Sequence, residues 1–178
     1  LHASDPQTIN TYINILKKYS VDPTMVEIEL TETAVVSEYE SVRKLFDSFQ
    51  LHGIKTAMDD FGSGYSVLNT IVDIPVDVIK IDRGFITSCL ETDRGIYFLK
   101  HLIDMIWNLG YQIICEGVET DEQIEILRQI GCDEIQGYWY SKPLKMEDYK
   151  ELLQTEKISK GGGKTPKQAK NPKIYFRQ

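Results

Sequence analysis

Two hydrophobic periods alternate along the chain. Short segments in which apolar and polar residues alternate, or in which β-branched residues cluster, predict strands. Longer segments with apolar residues three and four positions apart predict helices between those strands. The five predicted strands have the sequences TMVEIEL, KTAMDD, VDVIKID, YQIICEG and DEIQGYW.

Capping residues mark where several of the helices should begin. Asp5-Pro6 has the order of an N-cap followed by proline in the first turn. Ser37 with Glu40, and Thr120 with Gln123, have the spacing of a capping box. The predicted buried faces comprise Val42, Leu45, Phe46 and Phe49 in one helix and Phe98, Leu99, Leu102, Ile103, Ile106 and Leu109 in another, over 94–109.

Repeated strand–helix units predict an α/β fold with parallel strands joined by right-handed crossovers. The pattern leaves two architectures open, a doubly wound open sheet and a (β/α)8 barrel. We expect one folded domain over residues 1–156, with its last helix at 146–156. Residues 157–178 are rich in Gly, Pro and Lys and are predicted to be a disordered tail, with a membrane-surface or nucleic-acid-binding arm as the alternative.

The distribution of charge along the chain argues against some functions and favours others. The tail contains seven of the 20 basic residues and none of the 27 acidic ones, so residues 1–156 carry 13 basic and 27 acidic side chains. A domain this acidic is a poor general nucleic-acid binder but suits divalent cations. No apolar run approaches the roughly 18 residues that span a bilayer, and no signal peptide is visible at the start. The three cysteines lack CxxC spacing, which favours reduced thiols in a cytoplasmic protein without a zinc site.

Polar side chains recur where each predicted strand ends. Since the carboxyl ends of parallel strands meet at one rim, and barrel active sites lie on that rim, these residues are candidates for a shared site. Mg²⁺ and Mn²⁺ prefer such carboxylate and amide oxygens, and two such ions roughly 3.5–4 Å apart hydrolyse phosphodiesters in other proteins. The strand-end residues are Glu29, Glu32, Asp59, Asp60, Lys80, Asp82, Glu116, Glu119 and Gln136.

Some of these features have simpler explanations. A strand-end glutamate is often only a favourable charge at a helix N-terminus. The DFG triplet also occurs in protein kinases, but the kinase HRD and VAIK motifs are absent from this sequence. The joint recurrence at five strand ends therefore favours a metal site over either explanation.

The motifs ELTE, DDFGSGYSVL, VIKIDRGFI, CEGVET and GCDEIQGYWYSKPL occur in this order. Over about residues 1–155 the chain resembles the EAL domain family of cyclic di-GMP phosphodiesterases. The resemblance implies a (β/α)8 TIM-like barrel, represented here by about its last five strand–helix units. It also implies hydrolysis of cyclic di-GMP to linear pGpG by a Mg²⁺ or Mn²⁺ two-metal site in a bacterial signalling protein.

The resemblance assigns roles residue by residue. Glu29, Asp59, Asp60 and Glu116 are the implied metal ligands, and Lys80 and Glu116 the catalytic residues, with Glu116 as the candidate general base. It further implies a homodimer and an upstream GGDEF or sensor domain, in a cytoplasmic protein that can be membrane-tethered elsewhere. The implied supporting residues are Asp82, Glu119, Gln136 and Pro143, and those that stabilise the loop are Glu32, Gly62, Gly64, Tyr65 and Ser66.

The printed sequence also departs from the family pattern. The namesake Glu-Ala-Leu motif and the asparagine one unit later do not occur in it, and Val67 and Gly84 stand where the family often has serine. Three functions stay open: a phosphodiesterase domain, a non-catalytic cyclic di-GMP receptor or regulatory module, and an inert fragment. For the 178 residues alone we expect little or no hydrolysis.

Overall fold

The computed structural model of the protein describes residues 6–64, 71–132 and 134–159. Helices and strands alternate along nearly all of this part of the chain. The strands are β1 (Glu27–Thr31), β2 (Lys55–Phe61), β3 (Val78–Ile81), β4 (Gln112–Cys115) and β5 (Glu134–Ile135). The α-helices are α1 (Pro6–Tyr19), α2 (Glu32–Ser37), α3 (Tyr39–Leu51), α4 (Arg83–Leu90), α5 (Asp93–Asn108), α6 (Asp121–Gln129) and α7 (Met146–Ser159).

The five strands form one parallel sheet in the order β1-β2-β3-β4-β5. A doubly wound sheet reverses its strand order at a switch point, whereas consecutive order with same-handed crossovers is the order of a barrel. The sheet is open among the described residues, with β1 and β5 at its edges. All five predicted strands are therefore present, although only two residues of the segment DEIQGYW, Glu134 and Ile135, form a strand. The order of the strands resolves the choice left by the sequence in favour of an incomplete barrel.

The two faces of the sheet carry different side chains because neighbouring strand residues point in opposite directions. Met58, Ile79 and Ile113 belong to the main core, where they pack with helix residues such as Phe46 and Leu99. On the other face, a separate small cluster contains Ala57, Val78 and Ile114. That second face is the one that a closed barrel would enclose, and it leads to the strand ends described below.

Two details of the helices differ from expectation. Ser37 is not an N-cap, because Thr31 already caps α2 and Ser37 is the last residue of that helix. Helix α3 starts after Glu38 without a side-chain cap. In α5 the buried stripe is narrower than predicted: Phe98 and Leu109 are 51% and 41% exposed. The four remaining positions of the predicted stripe are buried, as expected: Leu99, Leu102, Ile103 and Ile106.

The predicted capping box of α6 is present. The Thr120 hydroxyl accepts a hydrogen bond from Gln123 N, and Gln123 Oε1 accepts one from Thr120 N. We expect Thr120→Ala to lower the free energy of unfolding by about 1 kcal/mol, because the Gln123 N–H loses the hydroxyl oxygen that accepts its hydrogen bond. Ser37→Ala is the matched control, and we expect it to lower the free energy of unfolding by only about 0.3 kcal/mol. Equal losses in urea unfolding of the two variants would contradict this assignment.

The end of the folded part lies close to the predicted boundary. Helix α7 continues to Ser159, three residues into the segment predicted as a tail. The rest of that segment, residues 160–178, lies outside the described residues. None of the described helices combines the length with the apolar composition that a membrane crossing requires.

Candidate active site

Lys80 is the centre of the rim. It lies in β3 and is 1% exposed, and its Nζ atom is 2.7 Å from Glu116 Oε1, 2.9 Å from Glu29 Oε1 and 3.4 Å from Asp59 Oδ1. Burial by itself lowers the pKa of Lys80, but the hydrogen bonds to Glu116 and Glu29 outweigh it, so the pKa lies above its ordinary value. The ammonium group is therefore charged and neutralises acids from three different strand ends.

A bulge brings the two neighbouring aspartates to the same site. Successive residues of a regular strand point to opposite faces, but the β2–β3 register shifts between Met58 and Phe61. Asp60 has a positive φ of 59°, a conformation that costs most side chains energy and that aspartate tolerates better than most. A bulge of this kind changes the direction in which a side chain points. The carboxylates of Asp59 and Asp60 therefore both lie at the rim, close to Glu116.

Three carboxylates converge tightly enough to hold a cation. One oxygen each from Asp59, Asp60 and Glu116 lies within 4.8 Å of the others, and Asp59 and Glu116 are buried. Glu29 reaches the same lysine but is not part of that group, and its side chain is 32% exposed. This all-oxygen donor set fits the preference of Mg²⁺ and Mn²⁺.

Glu32 ties the loop after β2 to the start of α2. It is 3% exposed, and its Oε2 atom accepts hydrogen bonds from Gly62 N at 2.8 Å and Gly64 N at 3.4 Å. A Cβ atom on Gly64 would collide with the Glu32 carboxylate, and one on Gly62 would lie 2.7 Å from the Phe85 ring. Both glycines thus permit a close approach of backbone to side chain. Tyr65 and Ser66, predicted to belong to the same loop, lie outside the described residues.

Glu32→Ala should lower the free energy of unfolding by about 1–3 kcal/mol, because it leaves the N–H groups of Gly62 and Gly64 without their carboxylate acceptor. Urea unfolding measures this effect. Glu38→Ala is a control at an exposed position six residues away, and we expect it to change stability by less than about 0.5 kcal/mol. A loss at Glu32 no larger than that of the control would show that the carboxylate does not hold the loop.

The predicted supporting residues follow the ends of β3, β4 and β5 along the chain. The Asp82 carboxylate accepts from Phe85 N and caps α4. Glu119 pairs with Arg83 at 2.7 Å. Gln136 follows β5, where its N–H donates to Cys115 O at 2.9 Å, and Pro143 is exposed between β5 and α7.

Arg83 was not among the residues predicted from the sequence. Its side chain lies against the turn after β4, so that a Cβ atom on Gly117 would collide with it. Gly117 has a positive φ of 65°. The available signal was position alone, since Arg83 directly follows the strand end that carries Lys80 and Asp82.

The family model of the EAL domain matches residues 2–143. The chain belongs to the EAL domain family. It is 33% identical over 132 residues to the cyclic di-GMP phosphodiesterase PdeL of Escherichia coli, a match that covers 74% of this chain and 36% of that protein. The chain spans well under two thirds of the length of the curated relatives it matches, for example 16% of the cyclic di-GMP phosphodiesterase NbdA of Pseudomonas aeruginosa.

Solved EAL structures share the fold. The PaMucR phosphodiesterase in complex with cyclic di-GMP superposes with a TM-score of 0.76 at 28% identity, over 84% of this chain and 60% of that one. A manganese and cyclic di-GMP complex of Klebsiella pneumoniae BlrP1 gives a TM-score of 0.73 at 29% identity, over 78% of this chain and 35% of the other. The five-stranded EAL sheet described above is therefore part of a TIM-like barrel.

Proposed function

We propose that this EAL chain is the part of a cyclic di-GMP phosphodiesterase domain that carries its catalytic lysine, its aspartate pair and its general base. The reaction is the hydrolysis of one phosphodiester bond of cyclic di-GMP to give linear pGpG. The observation that carries the proposal is the buried Lys80 ammonium among the carboxylates of Glu29, Asp59 and Glu116. Relatives named cyclic di-GMP phosphodiesterases support the choice of substrate.

Asp59, Asp60 and Glu116 would hold the divalent cations, with Glu29 completing the set. Their oxygen donors suit Mg²⁺ or Mn²⁺, and the BlrP1 complex with manganese supports this choice. When bound, such ions supply Lewis-acid stabilisation of the charge on the reacting phosphate. The positive φ of Asp60 fits this role, because strained backbone persists mainly where function requires it.

Different side chains stabilise the negative charge and accept the proton during the reaction. Lys80 donates hydrogen bonds to a phosphate oxygen or to the attacking water and offsets their negative charge. Glu116 accepts a proton as water attacks phosphorus. The bond from phosphorus to the ribose 3′ oxygen breaks, and that oxygen takes a proton from a solvent water and leaves as a hydroxyl. Glu116 then returns its proton to solvent. Asp82, Glu119, Gln136 and Pro143 support the substrate side of the rim, while Glu32, Gly62, Gly64, Tyr65 and Ser66 keep the loop after β2 in place.

The setting of the domain is also part of the proposal. By family analogy, it acts as a homodimer in the cytoplasm, under the control of an upstream GGDEF or sensor domain in the parent protein. The alternative is a cyclic di-GMP receptor or regulatory module that binds the dinucleotide without turnover.

The experiment compares the 178-residue chain with the same chain fused behind an upstream EAL segment that contains the Glu-Ala-Leu motif. Cyclic di-GMP and pGpG are separated by chromatography after incubation with Mn²⁺. We expect little or no pGpG from the chain alone and continuous turnover by the fused domain. A fused domain that melts cooperatively and binds cyclic di-GMP without forming pGpG would reject the enzyme and support the receptor.

A further inference from the structure

Two cysteine sulfurs are in contact at the main core, next to the strand end that carries Glu116. Cys132 Sγ is 3.1 Å from Cys115 Sγ, and neither residue is in a disulfide. A disulfide has an S–S distance of about 2.05 Å, so the two atoms need to approach by only about 1 Å more. Cys115 ends β4 and directly precedes Glu116, whereas Cys132 lies in the turn between α6 and β5.

We propose that Cys115 and Cys132 are an oxidative modification site that forms a disulfide in the presence of a hydroperoxide. The bond would join the end of β4 to the turn before β5. Nothing in the assigned chemistry of the rim uses either sulfur. The formation of the bond does not depend on the phosphodiesterase assignment, whereas its effect on metal binding rests on the proposed function.

The burial of the two residues sets the order of the steps. Cys115 is fully buried and Cys132 is half-buried, so the peroxide reaches Cys132 first. One oxygen of the peroxide is transferred to the Cys132 sulfur as the O–O bond breaks, giving a sulfenic acid and releasing water from hydrogen peroxide. The Cys115 sulfur then attacks the Cys132 sulfur, the S–O bond breaks, and a second water leaves with the Cys115 proton. The two thiols lose two electrons, which reduce the peroxide.

The disulfide would act on a strand end that is fixed on both sides. Cys115 O accepts a hydrogen bond from Gln136 N at 2.9 Å, and Glu116 N donates to Ile81 O at 3.0 Å. Because both hydrogen bonds hold this backbone in the sheet, we expect a displacement of the Cys115 side chain to shift the adjacent Glu116 backbone as well. Disturbing residues that orient metal ligands typically lowers metal affinity by about 10–100-fold, so we expect Mn²⁺ to bind the oxidised chain roughly tenfold more weakly.

The test treats the native 178-residue chain with hydrogen peroxide, blocks the remaining thiols and digests with trypsin. Arg128 separates the two cysteines, so Cys115 falls in peptide 101–128 and Cys132 in peptide 129–145. We expect these peptides to appear cross-linked, with a mass lower by two hydrogens than their sum, and to separate on reduction. The Cys89→Ser variant, which alters a buried thiol in α4, is the matched control and should cross-link normally, whereas Cys132→Ser should not.

Three results would contradict the proposed disulfide. Cys132 could be oxidised to sulfinic acid without cross-linking, the cross-link could involve Cys89 or a second chain, or all thiols could stay unmodified while the chain remains folded. A second readout is the Mn²⁺ affinity of the reduced and oxidised chains, measured by the paramagnetic signal of free Mn²⁺. A cross-linked chain with unchanged Mn²⁺ affinity would contradict the effect on the rim. A reduced chain that binds no Mn²⁺ would contradict the metal site of the proposed function and leave the cross-link result standing.

Discussion

Lys80→Met should lower the free energy of unfolding by about 3–5 kcal/mol in the absence of divalent cations, because removing one partner of a buried ion pair leaves uncompensated buried charge. Lys80 is 1% exposed, and the side chains of Asp59 and Glu116 are 4% and 10% exposed. Methionine has a similar length but brings no charge to these carboxylates. Urea unfolding of both proteins in a buffer with EDTA measures the difference.

The matched control is Lys100→Met in α5. Lys100 forms an ion pair with Asp104 at 3.1 Å, but both side chains are nearly half exposed. An exposed pair of this kind contributes about 0.5 kcal/mol or less. We also expect Mn²⁺ to raise the free energy of unfolding of Lys80→Met by more than that of the unaltered chain, because a bound cation replaces the missing ammonium charge. A loss at Lys80 as small as that at Lys100 would contradict the account of the rim.

Glu116→Gln should lower the turnover of cyclic di-GMP by about 100- to 10,000-fold in the fused domain, which is the usual contribution of a positioned general base. Glutamine keeps the size and one hydrogen-bond acceptor but cannot take a proton from water. Substrate affinity should change by only a few-fold, because the amide oxygen of glutamine can still ligate the cation and Lys80, Asp59 and Asp60 are retained.

Glu134→Gln provides the control for removing a buried acid. Glu134 is 5% exposed and lies in β5 opposite Ile114, two residues before Glu116 along the neighbouring strand. Its carboxylate accepts a hydrogen bond from the Gln112 side chain, and it is not one of the three carboxylates that form the candidate cation site. We expect this variant to retain turnover within a few-fold. Equal losses in both variants would indicate a general effect of removing buried charge.

Much of the fold could be predicted because hydrophobic period and turn residues are local signals. The strand sequences around Ala57, Ile79 and Ile113 have clear patterns, and the sheet contains all of them in parallel register. The capping box at Thr120 was also a local signal and is present. Ser37 had the same spacing but lies at the end of α2, because Thr31 had already started a helix. Spacing alone does not say which of two competing caps is used.

The site was less predictable, because its geometry depends on contacts between distant residues. The strand ends indicated that Lys80 and Glu116 share a rim, but only the folded sheet shows that one ammonium contacts three carboxylates. The bulge at Asp59 and Asp60 left no sequence signal beyond the adjacency of two acids, since a positive φ at aspartate is set by the surrounding structure. The sulfur contact between Cys115 and Cys132 was hidden for the same reason, because their 17-residue separation has no meaning until β4 and β5 pair.

The most direct test of the central claim is the rate of pGpG formation by the fused domain and by its Glu116→Gln variant, at saturating cyclic di-GMP and Mn²⁺. We expect continuous turnover by the first, a rate at least about 100-fold lower for the second, and similar binding of cyclic di-GMP by both. A Glu116→Gln domain that forms pGpG at the unaltered rate would contradict the claim that this cluster of side chains performs the hydrolysis.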